Sequence, residues 1–327
     1  MNKPATRPKI RSLKAAVYLI AIGCLISQSA LAQKFTIPVL PDTQTSVNYN
    51  LPMFTSQMQW IADTKDSLNY PIALHVGDLV DFDNHDQYIR ASEGYKILDR
   101  VGLPYAITLG NHDTEAVGEF SGSAAPGNVN ENLRKTTKFN NYFPVDRFTA
   151  QKDRFEEHKS DNATYEFEAG GLNWLVVTLE FCARHEPVEW ANEIIPKYPN
   201  HNVIVLTHYH LSGRGTIGGN NAGYGDLSPR EIYDRITEKN ANILMFLSGH
   251  ISSGSSWRTD TGAQGNDIYQ ILQNYQREDN GGGYIRLLEI DTAAGTIDAK
   301  MYSPFYKQTK EDASRFSFDE VTFIKGE

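Results

Sequence analysis

The sequence predicts an α/β fold with at least a partly parallel sheet. Two observations carry this. Five short apolar runs each end in a residue able to bind a metal: Asp42, Asp78, Asn111, His208 and His250. Segments with helical periodicity lie between several of those runs, the alternation that builds parallel sheets. In such sheets ligands bind beyond the carboxyl ends of the strands, so residues far apart in sequence are expected to converge on one edge. The balance of 40% hydrophobic and 22% charged residues fits a soluble globular chain.

The first 32 residues read as a leader rather than as part of that fold. Lys3, Arg7, Lys9, Arg11 and Lys14 make a basic opening. An apolar run follows from Ala15 to about Ile26, and Ala30-Leu31-Ala32 has the small-x-small form of a cleavage site. The apolar run is too short to span a bilayer. The pattern therefore predicts a secretory signal peptide over residues 1–32 and a mature chain from Gln33. That chain would be periplasmic or secreted, with no membrane span after cleavage. Lipid attachment at Cys24 is the lesser alternative, because Ala21 stands where leucine is usual.

Cleavage removes five of the 31 basic residues and none of the 40 acidic ones, from a chain already at −9. So acidic a surface argues against nucleic acid as the main partner. Of two cysteines only Cys182 stays, so no intramolecular disulfide can form. Its apolar surroundings predict a buried, inert thiol. No repeat or low-complexity tract interrupts residues 33–327, which read as a single domain.

Phe35 to Leu40 predicts a short buried strand ending in the turn Pro41-Asp42-Thr43-Gln44. Phe54, Met58 and Ile61 recur at helical spacing and read as core packing. Pro71 to Val76 is the next strand, followed by Gly77-Asp78-Leu79-Val80-Asp81, a helix over about Asp86 to Val101, and a strand from Leu103 to Leu109. Thr114 to Ser160 is polar and reads as an irregular excursion at a site mouth, with one short helix near Asn132 to Phe139. Thr164 to Glu168 and Leu172 to Val177, joined by Ala169-Gly170-Gly171, give a hairpin signal. Next come a short helix from Glu189 to about Ile195, a buried strand from Asn202 to Leu206, a glycine-rich loop from Ser212 to Gly225, and a helix from Pro229 to Lys239 with proline in its first turn. Ile243 to Leu247 is the last strand carrying a candidate ligand. Strands Ile268 to Leu272, Tyr284 to Ile290 and Ile297 to Tyr302 finish the chain.

The turn Gly110-Asn111-His112-Asp113 concentrates chemistry. Asn111 offers an amide oxygen to a metal, and His112 can titrate near neutral pH. Asp113 is expected to hold the His112 ring by hydrogen bonding. Asp42-Thr43-Gln44, Gly77-Asp78 with Asp81, Gly110 to Asp113, Thr207-His208 and Gly249-His250-Ile251-Ser252 stand in that order. Together they resemble the D-x-H, GD-x-x-D, GNH(D/E), strand-end histidine and GHxH motifs of the calcineurin-like metallophosphoesterase superfamily. The resemblance covers about Phe35 to Tyr302.

It implies a four-layer αββα sandwich with two divalent metal ions at the sheet edge. Carried over residue by residue, it implies that Asp78 bridges the ions, that Asp42 holds one, and that Asn111, His208 and His250 hold the other. His112 would protonate the leaving group or stabilise the transition state. Asp81 and Asp113 would orient its neighbours. Two dications against two carboxylates leave a net positive site suited to phosphate, where activated water can attack in line.

Two positions depart from the family pattern. Gln44 stands where D-x-H has histidine, and Ser252 where GHxH ends in histidine; in the family both serve the ion held by Asp42. Gln44 is carried here as an amide-oxygen ligand candidate. The expected pair is unequal: one tightly held transition metal (Zn, Fe or Mn), and one weaker oxygen-liganded ion (Mn, Mg or Ca). Among the other histidines, His75 reads as a core residue, and His85, His158, His185 and His201 as solvated. His210 would share a face with His208 if that strand continues; it and Arg258 are candidates for lining the pocket.

The expected activity is hydrolysis of a small-molecule or extracellular phosphate ester. A phosphodiester is slightly preferred, because few basic residues, chiefly Arg214 and Arg258, lie near the motifs. Two rivals stand beside it. A non-catalytic metal-binding scaffold is favoured by Gln44 and Ser252, and opposed by the retained His112-Asp113 pair. A single-metal hydrolase of another bond is the second.

Overall fold

The computed structural model describes residues 1, 33–119, 127–252 and 254–326. The predicted signal peptide, Met1 apart, lies outside the described residues. Fourteen strands are described: β1 (Lys34–Leu40), β2 (Ala73–His75), β3 (Tyr105–Ile107), β4 (Gln151–Arg154), β5 (Ala163–Ala169), β6 (Leu172–Leu179), β7 (His201–Thr207), β8 (Ile243–Ser248), β9 (Gly254–Thr261), β10 (Asp267–Asn274), β11 (Ile285–Asp291), β12 (Thr296–Ser303), β13 (Gln308–Thr309) and β14 (Phe316–Phe318). They form two sheets of seven. One runs β13-β12-β11-β1-β2-β3 with β14 on β12; the other runs β4-β5-β6-β7-β8-β10-β9.

The predicted α/β class holds, and both sheets are mixed. β1, β2 and β3 are mutually parallel, as are β6, β7, β8 and β10. Alternation along each central strand sets the layers. Trp174 and Val176 of β6, with Ile204 and Leu206 of β7, join the core shared with Ile37 and Val39 of β1. Their sequence neighbours Leu175, Val177, Val203 and Val205 point the other way, onto Val188 of helix His185–Ile194 and Ile232 of helix Pro229–Thr237. On the first sheet's outer side, Phe54 and Ile61 of helix Leu51–Thr64 pack with Tyr88 and Tyr95 of helix His85–Arg100. The result is helix, sheet, sheet, helix, the four-layer sandwich the resemblance implies.

The Asn132 to Phe139 region holds two short helices rather than one, Val129–Asn132 and Thr137–Tyr142. The Pro229 helix begins with a full capping box: Ser228 Oγ accepts from Glu231 N at 3.3 Å, and Ser228 N donates back to the Glu231 carboxylate at 2.9 Å. Among the described residues, no helix is long and apolar enough to cross a membrane.

Candidate active site

Five predicted ligands sit just past the carboxyl end of a parallel strand, Asp42 after β1, Asp78 after β2, Asn111 after β3, His208 after β7 and His250 after β8, and Gln44 opens the helix Gln44–Tyr49. The two sheets bring these ends together, so His208 Nε2 of one lies 3.1 Å from Asp78 Oδ2 of the other. The ligand atoms of Asp78, His208 and His250 lie within 4.8 Å of one another. Asp78 and His250 both hold left-handed backbone, with φ of 53° and 67°. That is costly for a non-glycine residue and is typical of functional sites.

The motif glycines are there because the ligands need their space. A Cβ on Gly110 would lie 2.1 Å from Asp78 Oδ1, and one on Gly249 would lie 2.1 Å from Asp42 Oδ1. Gly77 adds a conformational demand: its φ is 96°, and a Cβ would meet His208 Nδ1 at 2.6 Å.

The donors fit a cation. His208 Nδ1 is 2.7 Å from the Val76 carbonyl, which can only accept, so this nitrogen carries the proton. In the neutral ring Nε2 then aims a lone pair toward Asp78, and two lone pairs at that distance demand a proton or a metal between them. Burial lowers the His208 pKa, yet the Asp78 and Asp42 charges outweigh it and hold it at about 9 in the chain alone. Burial would raise the Asp78 pKa, but the His208 and His112 charges keep it well below the carboxylate range. His250 is pushed down to about 3, by burial and then by His208, so its ring is neutral and has a lone pair to give. Asn111 Oδ1 and Gln44 Oε1 are buried acceptors with no hydrogen-bond donor among the described residues. Buried, unpaired acceptors beside a carboxylate and two imidazoles are what a bound cation would satisfy.

His112 lies beside this cluster, with its main-chain N donating to Asp78 Oδ1 at 3.0 Å. Its Nδ1 donates to the Asp81 carbonyl at 2.7 Å, and the Asp81 carboxylate is 3.7 Å from the same nitrogen. The main-chain carbonyl of Asp81 is therefore the hydrogen-bond partner that fixes the ring. The expectation for Asp113 is corrected. Its Oδ1 accepts from Leu79 N (2.8 Å) and Val80 N (3.1 Å), and its Oδ2 from Gly110 N (2.9 Å). Asp113 fastens the Asp78 loop to the Asn111 loop and does not hold the His112 ring. Within the short 3₁₀ turn Asn111–Asp113, adjacent side chains diverge, so neighbours in sequence face different partners.

Around Asp42 the structure reveals a residue that sequence reading passed over. Asn274, at the carboxyl end of β10, donates to Asp42 Oδ2 at 2.6 Å, and His250 N donates to the same oxygen at 3.1 Å. Since β10 is parallel to β8, its end reaches the same edge; extending the strand-end rule to this sixth apolar run would have found it. Gln44 Nε2 lies 3.5 Å from Asp81 Oδ1. His210 does not join the cluster: its Nε2 lies 2.8 Å from Gln270 Oε1 and its ring stacks on Phe246 at 4.7 Å. Arg258 is engaged by Asp260 and by the Gly215 carbonyl. His75 is the core residue expected: its ring bonds Thr43 Oγ1 at 2.9 Å and accepts from Gly77 N at 3.1 Å, bracing two ligand loops. His85 and His201 are not merely solvated, since they pair with Tyr142 and Glu166. Burial pushes the Cys182 thiol up to about 12, so it is inert.

Carboxylate, amide and imidazole donors gather at the strand ends of a two-sheet sandwich, a donor set that suits a metal ion. The chain belongs to the calcineurin-like phosphoesterase family, whose sequence pattern matches residues 37–253. It is 29% identical over 282 residues to the uncharacterized protein YvnB of Bacillus subtilis (strain 168), a match covering 84% of this chain and 20% of that protein. The chain thus spans about a fifth of that relative's length. Among solved structures it resembles the purple acid phosphatase PPD1 of yellow lupin seeds, with a TM-score of 0.55 and 12% identity over 88% of this chain and 54% of that one. It also matches the NAD nucleotidase of Haemophilus influenzae, with a TM-score of 0.45 and 13% identity over 83% of this chain and 48% of that one.

Proposed function

We propose that this chain is an exported phosphoesterase acting on a small-molecule or extracellular phosphate ester, a diester in slight preference. The observation that carries the reading is His112: Nδ1 is pinned by Asp81, which turns Nε2 away from it, and the ring stands beside the Asp78, His208 and His250 cluster. A scaffold that only binds metal has no use for an imidazole held in one tautomer there.

Asp78, Asn111, His208 and His250 would hold one ion, and Asp42 and Gln44, with Asp78, the other. When bound, such ions supply positive charge for the phosphoryl oxygens and a water acidic enough to attack phosphorus. The chain does the rest. With Nδ1–H held on the Asp81 carbonyl, the doubly protonated ring of His112 would give its Nε2 proton to the departing oxygen and be left neutral. Asp81 keeps the ring from turning. Asp113 fixes the spacing of the Asp78 and Asn111 loops.

The diester preference is supported by the fate of Arg258, whose charge Asp260 already meets, since a dianionic monoester gains more from free cations. Export is supported by the basic, apolar, Ala30-Leu31-Ala32 series, and cleavage there leaves β1 whole. N-terminal sequencing of the natural product should begin at Gln33; an intact Met1 or a lipidated Cys24 would show otherwise. The activity is tested by a metal-resolved screen of the mature protein on p-nitrophenyl phosphate and bis-p-nitrophenyl phosphate. No metal-dependent, His112-dependent turnover on any ester would establish the scaffold instead, and faster monoester turnover would reverse the preference.

A further inference from the structure

A group of aromatic rings stands against the histidine pair and has no part in the chemistry above. Phe181, just past β6, meets His250 edge-on at 5.0 Å between centroids and His208 at 5.8 Å. Tyr209 lies nearly parallel to Phe181 at 6.3 Å, and Tyr224 lies nearly parallel to it at 5.3 Å. Phe181 and Tyr209 are buried; Tyr224 is the half-buried member, the one that reaches solvent.

Tyr224 sits in the glycine-rich loop that follows His208, and that loop is fastened. Asp226 N donates to the Cys182 carbonyl at 3.0 Å and Leu227 N to that of Ala183 at 3.1 Å. The Asp226 carboxylate takes Arg134 at 3.0 Å and Asn130 at 2.7 Å. Arg134 in turn holds the Phe181 and Cys182 carbonyls, each at 2.9 Å. One arginine therefore fixes both Phe181 and the loop that lays Tyr224 upon it. Burial, and next the charge of Asp78, raise the Tyr224 pKa, so the phenol end is within electrostatic reach of the candidate metal ligands.

A phosphate gains nothing from the face of an apolar ring, whereas a planar group stacks on one. Phe181 meets His250 and Tyr224 lies upon Phe181, so a group stacked on Tyr224 stands one ring away from a candidate metal ligand, within reach of a short ester link to phosphorus. We propose that Tyr224, backed by Phe181, is the leaving-group platform of the site, and that its substrates are phosphate esters of planar aromatic alcohols. This rests on the phosphoesterase reading and gives it a substrate class.

The test uses the mature protein loaded with manganese. Phenylphosphonate and methylphosphonate are titrated calorimetrically and measured as competitive inhibitors of p-nitrophenyl phosphate hydrolysis. The phenyl compound should bind about tenfold more tightly to wild type, Tyr224→Phe should keep most of that ratio, and Tyr224→Ala should bring it within about twofold with methylphosphonate affinity unchanged. Tyr224→Leu, which keeps apolar volume but no ring, should behave like the alanine variant. A phenyl preference that survives in Tyr224→Leu, or that wild type never shows while binding both compounds, overturns the platform alone. Wild type that binds neither phosphonate and hydrolyses no ester overturns the phosphoesterase reading and this inference with it.

Discussion

Gly110→Ala tests whether the spacing between two ligand loops sets activity. Gly110 has φ −89° and ψ 179°, backbone that alanine adopts freely, so the effect is one of space alone. The added Cβ would lie 2.1 Å from Asp78 Oδ1 and 2.5 Å from Asp78 N, where ordinary contact begins at 3.4 Å. The carboxylate must retreat by about 1.3 Å, because a close-packed interior offers no slack. That movement breaks the 3.0 Å bond from His112 N to Asp78 Oδ1 and misplaces a ligand and the acid together. A misplacement of about 1 Å costs roughly 10²-fold in rate, and the overpacking costs about 1–3 kcal/mol of stability. The assay is kcat on p-nitrophenyl phosphate at saturating metal, with bound metal by elemental analysis and Tm by calorimetry. A cooperative melt with kcat down roughly 10²-fold and less bound metal is expected. Wild-type kcat and metal content in the alanine variant would refute the reasoning. Gly249→Ala provides the contrast: its Cβ strikes Asp42, also at 2.1 Å, and should loosen only the ion that Asp42 holds.

His112→Ala should lower turnover by about 10²–10⁴-fold with metal content largely unchanged; loss of metal with activity in proportion to occupancy would make His112 a ligand. Asp113→Asn replaces a carboxylate that accepts three main-chain N–H groups, so it should cost about 1–3 kcal/mol of stability and lower metal content together; a shifted pH–rate profile with unchanged Tm would return Asp113 to the His112 ring. Dialysed protein should retain one transition metal per chain and lose a second ion that millimolar manganese or magnesium restores; two tightly bound zinc or iron ions would refute that inequality. Burial pushes His210 down to about 4, so it folds neutral. Its stabilising share is complete above the ordinary histidine pKa near 6.5 and is lost as pH falls toward 4, at roughly 1.4 kcal/mol per pH unit. Denaturant unfolding should show this slope in wild type and a flatter one in His210→Gln; identical slopes would count against it.

The central strands were legible because each is an apolar run long enough to show and short enough to end visibly, and the motifs lie at those ends. β9 was not legible. It is an edge strand whose residues are exposed or half-buried throughout, so Gly254 to Thr261 carries no apolar run at all. The role of His210 was misjudged because β7 stops at Thr207, and the two-residue repeat of a strand does not extend past its end. Asp113 was misjudged for a different reason. Its partners Leu79 and Val80 are brought to it by the parallel pairing of β2 with β3, a contact that no local reading of Gly110 to Asp113 contains. Asn274 was visible in principle, as the polar end of the Ile268 to Leu272 run, but no motif marked it.

The two halves of the site join the two sheets by different means. On one side the His208 ring reaches across to the Val76 carbonyl with Nδ1 and confronts Asp78 with Nε2, a contact that is stable only with a positive charge between. On the other side Asp42 of the first sheet is gripped by neutral donors from the second, Asn274 and the His250 main chain. The first arrangement ties sheet cohesion to a proton or a metal ion held there, and an ion that binds the folded chain in preference to the unfolded one also stabilises it. The second holds the edge together chiefly by hydrogen bonds from neutral donors. Gln44 and Ser252 stand in the sequence where the family pattern has two histidines. Exchanging neutral histidines for a neutral amide and a hydroxyl leaves the charge presented to a phosphate unaltered. What is expected to change is the affinity for a transition metal, because imidazole donors give way to oxygen. A sheet edge already closed by Asn274 is expected to tolerate that loss better than the His208 and Asp78 side, which the metal content of dialysed protein checks.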